Sequence, residues 1–221
     1  MPKKKPDVMD RIEEAVEDFE ENAEKAAKEA KQIFQDMKAP IKPEPIDVEG
    51  KAQAIFSGQG VVADNKDVAR ALYDRSRFGS LNEDKITYSL HEGLYLLEKG
   101  KLEILDNKKK LSASAYVIKA EKAEPKFRIR FVAFKDLRNR GYIVKTALKF
   151  GADFRVYDRG VKPGEDHAKW IVYPVHEGES LTWYEFSAKN RVAHSTRKRL
   201  LLAIVDDEGS VTYYECKWTR P

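Results

Sequence analysis

The chain has 221 residues, enough for one large domain or two small ones, and its 42% apolar content suits a folded soluble protein rather than a disordered one. No apolar run approaches the ~18 to 20 residues that cross a bilayer, and the charged residues 1–10 lack the apolar stretch of a signal peptide, so the expected location is the cytoplasm. A single cysteine, Cys216, excludes an internal disulfide and a multi-cysteine zinc site, and the net charge of +4 is uneven: residues 125–221 are net +7 and the remainder −3.

Residues 1–50 come first. Met9, Ile12, Val16, Phe19, Ala23, Ala26, Ala30, Ile33 and Met37 recur in alternating steps of three and four, a heptad stripe on a background of Glu and Lys. The spacing predicts one long helix, docked on the body of the protein or paired in a coiled coil. Pro40, Pro43 and Pro45 end it and form a stiff linker.

Residues 51–124 read as a small mixed α+β domain. A β-like run spans 54–63, and helices are expected over 67–75 and 90–98, the second closed by Gly100. A short strand at 102–105 and a lysine-rich solvated turn at 107–110 follow. His91 falls inside the helical pattern, where a packed or surface histidine is the expected reading rather than a ligand or catalyst.

From Pro125 the chain reads as an α/β domain with a mixed sheet. A helix is expected over 126–140, then β-rich runs at 142–148, 154–157 and 170–175, a helix at 183–192, and strands at 199–205 and 211–218. Asp206, Asp207, Glu208, Gly209 and Ser210 separate the last two, a loop of hairpin length with glycine where a left-handed residue is useful. The basic balance of this part attracts and steers a polyanion, which favours nucleic acid over an acidic protein partner.

Four histidines occur, and only His167 lies in a stretch built like a site, a loop of glycines and a proline between Tyr157 and Trp170. A loop folding back over ten positions brings phenol and imidazole within reach of one another. Lys198 stands just before an apolar strand, with Arg191, His194 and Arg197 nearby, and such a basic cluster beside a Tyr/His pair is what an RNA phosphate requires. From position alone, each of these residues reads as structural or solvated before it reads as catalytic.

Three ordered blocks then carry a resemblance: Phe150-Gly-Ala-Asp-Phe-Arg-Val-Tyr157-Asp-Arg-Gly, His167-Ala-Lys-Trp-Ile-Val-Tyr-Pro174, and Arg191-Val-Ala-His-Ser-Thr-Arg-Lys198-Arg-Leu. With Asp136-Leu-Arg-Asn-Arg-Gly-Tyr-Ile-Val-Lys145 and, more loosely, Leu94-Tyr-Leu-Leu-Glu-Lys-Gly-Lys-Leu-Glu103, the chain resembles archaeal tRNA-splicing endonuclease over about residues 51–221. The resemblance implies that Tyr157, His167 and Lys198 are the catalytic three and that no cofactor or metal takes part. It implies cleavage of precursor tRNA at a bulge-helix-bulge, with the 2′-hydroxyl attacking to leave a 2′,3′-cyclic phosphate and a 5′-hydroxyl. Tyr157 would be the base, helped by positive charge because a free phenol titrates near ~10; His167 would be the acid, and Lys198 would stabilise the pentavalent phosphate.

By the same resemblance Arg191 stacks on a bulged base, with Trp218 as partner unless it is a core tryptophan, and Arg197 adds to the RNA-binding surface. Two cuts a fixed distance apart call for two sites related by symmetry, and the resemblance suggests a homotetramer in which the loop Asp206, Asp207, Glu208 enters a basic cleft of a neighbour. That loop is otherwise a solvated hairpin tip. Two further readings stay open: a catalytic subunit that needs a distinct partner chain, and a metal-dependent nuclease using Asp206, Glu215 and Lys217.

Overall fold

The computed structural model describes residues 46–159, 161, 164 and 167–219, so the heptad-patterned helix expected within residues 1–50 lies outside the described residues up to position 45. The described chain belongs to one compact unit, Pro43–Pro221, with mixed α/β content: five α-helices and two mixed sheets among the described residues.

The first sheet contains β1 (Ala52–Phe56), β2 (Gly60–Asp64), β3 (Ser80–Asn82), β4 (Lys85–Ser89), β5 (Leu102–Asp106) and β6 (Lys109–Lys110), in the order β3-β4-β2-β1-β5-β6. Only β1 and β5 run parallel. The β-like run expected over 54–63 is a hairpin: Gly58 takes φ 82°, and the Ser57 N–H donates to the Gly60 carbonyl at 2.9 Å. Gly60 must be glycine, because a Cβ there would lie 2.6 Å from the Tyr88 carbonyl oxygen.

The lysine-rich turn is tighter than expected. Asn107 and Lys108 both take positive φ, 47° and 65°, and Lys109–Lys110 closes back on β5 as β6.

Helices α1 (Asp67–Asp74), α2 (Leu90–Glu98) and α3 (Ala113–Ala123) cover this sheet. Ser89 and Glu92 form a reciprocal capping box that starts α2, and Ser112 caps α3. The sequence reading misses α3, which buries only Tyr116 and Ala120, a stripe too narrow to read as amphipathic.

The second sheet contains β7 (Ile143–Ala147), β8 (Ala152–Tyr157), β9 (Trp170–His176), β10 (Arg199–Val205) and β11 (Val211–Cys216), in the order β11-β10-β9-β8-β7. Strands β9 and β10 are parallel, joined by helix α5 (Trp183–Ser195), while helix α4 (Phe127–Asn139) precedes the sheet. Phe127, Phe131, Phe134 and Leu137 of α4 share a core with Val156, Trp170, Val172 and Leu201. Ala193 and Phe186 of α5 pack with Ala152, Ile171, Tyr173 and Leu200. The sheet is therefore covered on both faces, which is why β9 is an almost unbroken apolar run.

The first core cluster continues through α2 and the first sheet, so both sheets share one interior. His91 is packed there as expected, 4% exposed, stacked on Phe127 at 5.0 Å and edge-on to Phe154 at 5.1 Å. Burial, then the Arg130 charge, lowers its pKa to about 3, so it is neutral.

Three helices end in the same hydrogen-bond pattern. In α2 the Lys101 and Gly100 N–H groups bond Leu96 and Leu97 carbonyls; in α4 those of Tyr142 and Gly141 bond Leu137 and Arg138; in α5 those of Lys198 and Arg197 bond Ala193 and His194. The left-handed position is Gly100, Gly141 and, in α5, Arg197 at φ 54°. This terminus turns the chain from α5 directly into β10 and sets the backbone of Lys198.

Candidate active site

The candidate residues come from three segments at one end of the second sheet. Tyr157 is the last residue of β8, His167 and Lys169 precede β9, and Lys198 precedes β10. The Lys169 N–H donates to the Val156 carbonyl at 2.9 Å, and its own carbonyl accepts from the Arg199 N–H at 3.0 Å. Lys169 thus joins the ends that carry Tyr157 and Lys198, with His167 two residues upstream.

Tyr157 is 4% exposed, and the Arg155 guanidinium carbon lies 5.9 Å from its ring centroid. His167 is exposed. Lys198 is half-buried, its ammonium donating to the Thr196 carbonyl at 2.8 Å; burial, then the Arg155 charge, holds it below the usual lysine range. Around them stand Lys169, paired with Asp158 at 2.8 Å, and Arg159, whose guanidinium carbon is 5.2 Å from the Tyr142 ring centroid. Arg155 and Arg159 carry positive charge beside Tyr157 that sequence reading did not single out, although both lie within two residues of it.

Arg191 is exposed on α5, one turn from His194, whose ring sits 4.5 Å from that of Trp218. Trp218 is 46% exposed and so is a surface residue rather than a core tryptophan. Arg197 is exposed at the left-handed terminus of α5.

Asp206, Asp207 and Glu208 occupy the hairpin between β10 and β11, with Gly209 at φ 80° as the spacing predicts. Asp206 accepts from the Ser210 N–H at 2.7 Å, and His176 Nε2 contacts Asp207 at 2.9 Å. Because His176 Nδ1 accepts from the Gly178 N–H, its proton is on Nε2 and it donates to Asp207.

Asp206, Glu215 and Lys217 are not brought together. Glu215 pairs across from Leu201, roughly 15 Å along the strand from Asp206. Its carboxylate accepts from Trp170 Nε1 at 2.8 Å and Arg199 at 3.2 Å. No group of three His, Cys, Asp or Glu suited to a metal occurs among the described residues.

A phenol, an imidazole and an ammonium thus lie on segments that meet at one cation-rich end of the sheet. Residues 127–213 match the family model of the tRNA intron endonuclease catalytic C-terminal domain, and residues 52–117 match that of its N-terminal domain. The chain is 40% identical over 165 residues to a tRNA-splicing endonuclease of Thermococcus kodakarensis, covering 75% of this chain and 96% of that one. It is 40% identical over 154 residues to that of Methanothermobacter thermautotrophicus, 70% and 89% of the two chains, and 49% identical over 138 residues to that of Nanoarchaeum equitans, 60% and 88%. The chain belongs to the tRNA-splicing endonuclease family and carries its catalytic domain, which makes it an endoribonuclease. No helix among the described residues is long and apolar enough to cross a membrane.

Proposed function

We propose that this protein excises introns from precursor tRNA in the cytoplasm, cutting at a bulge-helix-bulge without metal and leaving 2′,3′-cyclic phosphate and 5′-hydroxyl ends. Residues 125–221 are the catalytic domain, residues 51–124 the supporting one, and residues 1–50 an extension. Tyr157 takes the proton of the 2′-hydroxyl, His167 protonates the departing 5′-oxygen, and Lys198 offsets the extra negative charge on the pentavalent phosphate. DNA lacks the attacking hydroxyl and is not a substrate.

The observation that carries this reading is the Lys169 junction, which holds the end of β8 and the start of β10 against residues just after His167. Arg191, Arg197 and Trp218 hold the RNA, the first and last by stacking on unpaired bulge bases that are open to contact, unlike the buried edges of paired RNA. Two symmetric cuts are made by a homotetramer in which Asp206, Asp207 and Glu208 of one copy enter a basic cleft of another.

The test is cleavage of a bulge-helix-bulge transcript in excess EDTA, with product ends identified by mass. Two cuts with cyclic-phosphate and 5′-hydroxyl ends are expected. Cleavage only on adding magnesium, with 5′-phosphate ends, would overturn the mechanism.

A further inference from the structure

Two residues before Tyr157 in β8, Arg155 shares the Tyr157 face of the strand. Its guanidinium carbon is 5.9 Å from the phenol ring centroid, within reach of a cation–π contact. Its Nε is buried with no hydrogen-bond partner, and no carboxylate pairs with Arg155 among the described residues.

The neighbours of Arg155 do not neutralise it. Across β7 it faces Lys145, whose ammonium is engaged by Glu92 at 3.0 Å and the Gly79 carbonyl at 2.7 Å. Across β9 it faces Ile171. Among the described residues, the cavity of about 280 Å³ that it lines has two other charged side chains, Arg77 and Lys145, both cations. Lys198, just before β10, feels the same charge.

A guanidinium always carries its charge, and a half-buried one without a counter-ion is costly to keep. An unpaired buried donor in a native structure calls for an explanation, and here the guanidinium stands beside the ring of Tyr157.

We propose that Arg155 is a positioning residue for the cleavage reaction, its guanidinium holding the Tyr157 ring in place for the attack on the RNA. This rests on the reading of Tyr157 as the base. Arg155 acts through the phenol and not on the RNA, so its loss slows the chemical step without weakening substrate binding. Any cation of suitable reach at position 155 serves in part.

The experiment compares kcat and KM for the full-length parent, Arg155→Met, Arg155→Lys and Tyr157→Phe on one bulge-helix-bulge transcript, with melting temperature recorded for each. Arg155→Met should lose roughly 10- to 100-fold in kcat, the cost of a misplaced reacting group, with KM within about two-fold. Arg155→Lys should recover most of that loss. If Arg155→Met does not fold, Arg155→Gln takes its place in the comparison. Equal losses in the charged and neutral variants, or a change in KM alone, would overturn the proposal. Parental cleavage by Tyr157→Phe would overturn both the base assignment and this inference. An inactive Tyr157→Phe beside a fully active Arg155→Met would overturn the inference alone.

Discussion

Glu92 of α2 and Lys145 of β7 form an ion pair at 3.0 Å across the two sheets, with side chains only 6% and 14% exposed. Burial alone would raise the Glu92 pKa, but Lys145 and the Ser89 and Gly79 N–H groups outweigh it and hold the carboxyl below its ordinary value. Removing one member of such a pair strands the other. Lys145→Met is expected to destabilise the protein by about 3–5 kcal/mol in urea unfolding. The double variant Glu92→Leu, Lys145→Met should recover part of that loss, since no buried charge is then left alone.

His91 predicts an acid sensitivity of known sign. Its folded-state pKa is about 3, below the ordinary histidine value of 6.5, so its contribution is whole above 6.5 and declines as the pH falls from there towards 3. The slope from this group is up to about 1.4 kcal/mol per pH unit. Unfolding free energies of His91→Phe, measured between pH 7 and 4, should show a correspondingly shallower decline.

Arg197 separates stability from binding. A non-glycine residue at φ 54° is strained by about 1 kcal/mol. Arg197→Gly should keep or raise stability, by up to about 1 kcal/mol once the added freedom of the unfolded chain is allowed for. The same change should weaken RNA binding and flatten its salt dependence by about one phosphate contact, read from Kd at several salt concentrations.

Arg191 lies one helical turn before His194, which Trp218 contacts. Arg191→Ala and Trp218→Ala should each weaken binding of bulged RNA by about 1–3 kcal/mol, with little effect on a fully paired duplex. Equal losses for both RNAs would show that they act by charge and shape instead of by stacking.

Replacing Asp206, Asp207 and Glu208 together by Ser is expected to lower the oligomeric state in sedimentation and to reduce paired cutting, while leaving the melting of the monomer fold within about 1 kcal/mol. His176→Ala, which frees the Asp207 carboxylate from its contact with the imidazole, should weaken assembly to a smaller degree.

The C-terminal elements were legible because each has a single strong signal. Strand β10 is an apolar run bounded by Lys198 and Asp206, and its expected limits, 199–205, are those observed. Helix α5 was placed by its start at Trp183 but runs to Ser195, three residues past the expected end, since its terminus is the non-glycine Arg197. In the N-terminal half, the hairpin of β3 and β4 escaped notice although Ile86 and Tyr88 alternate as buried residues, because its turn is Glu83 at φ 52° and not glycine. Tyr157, His167 and Lys198 were named through resemblance. Arg155, an ordinary strand arginine by pattern, gains meaning only from the ring it faces and the partners it lacks.

The junction at Lys169 is made by its backbone alone: one N–H given to Val156 and one carbonyl offered to Arg199. Nineteen side chains could fill that position and leave both bonds intact; proline could not, having no N–H to give. A comparison of sequences scores side chains, so these two bonds leave no mark of their own on the letter at position 169. The information that assembles this end of the sheet is carried by chain path and count, and it can drift in letters while staying fixed in space.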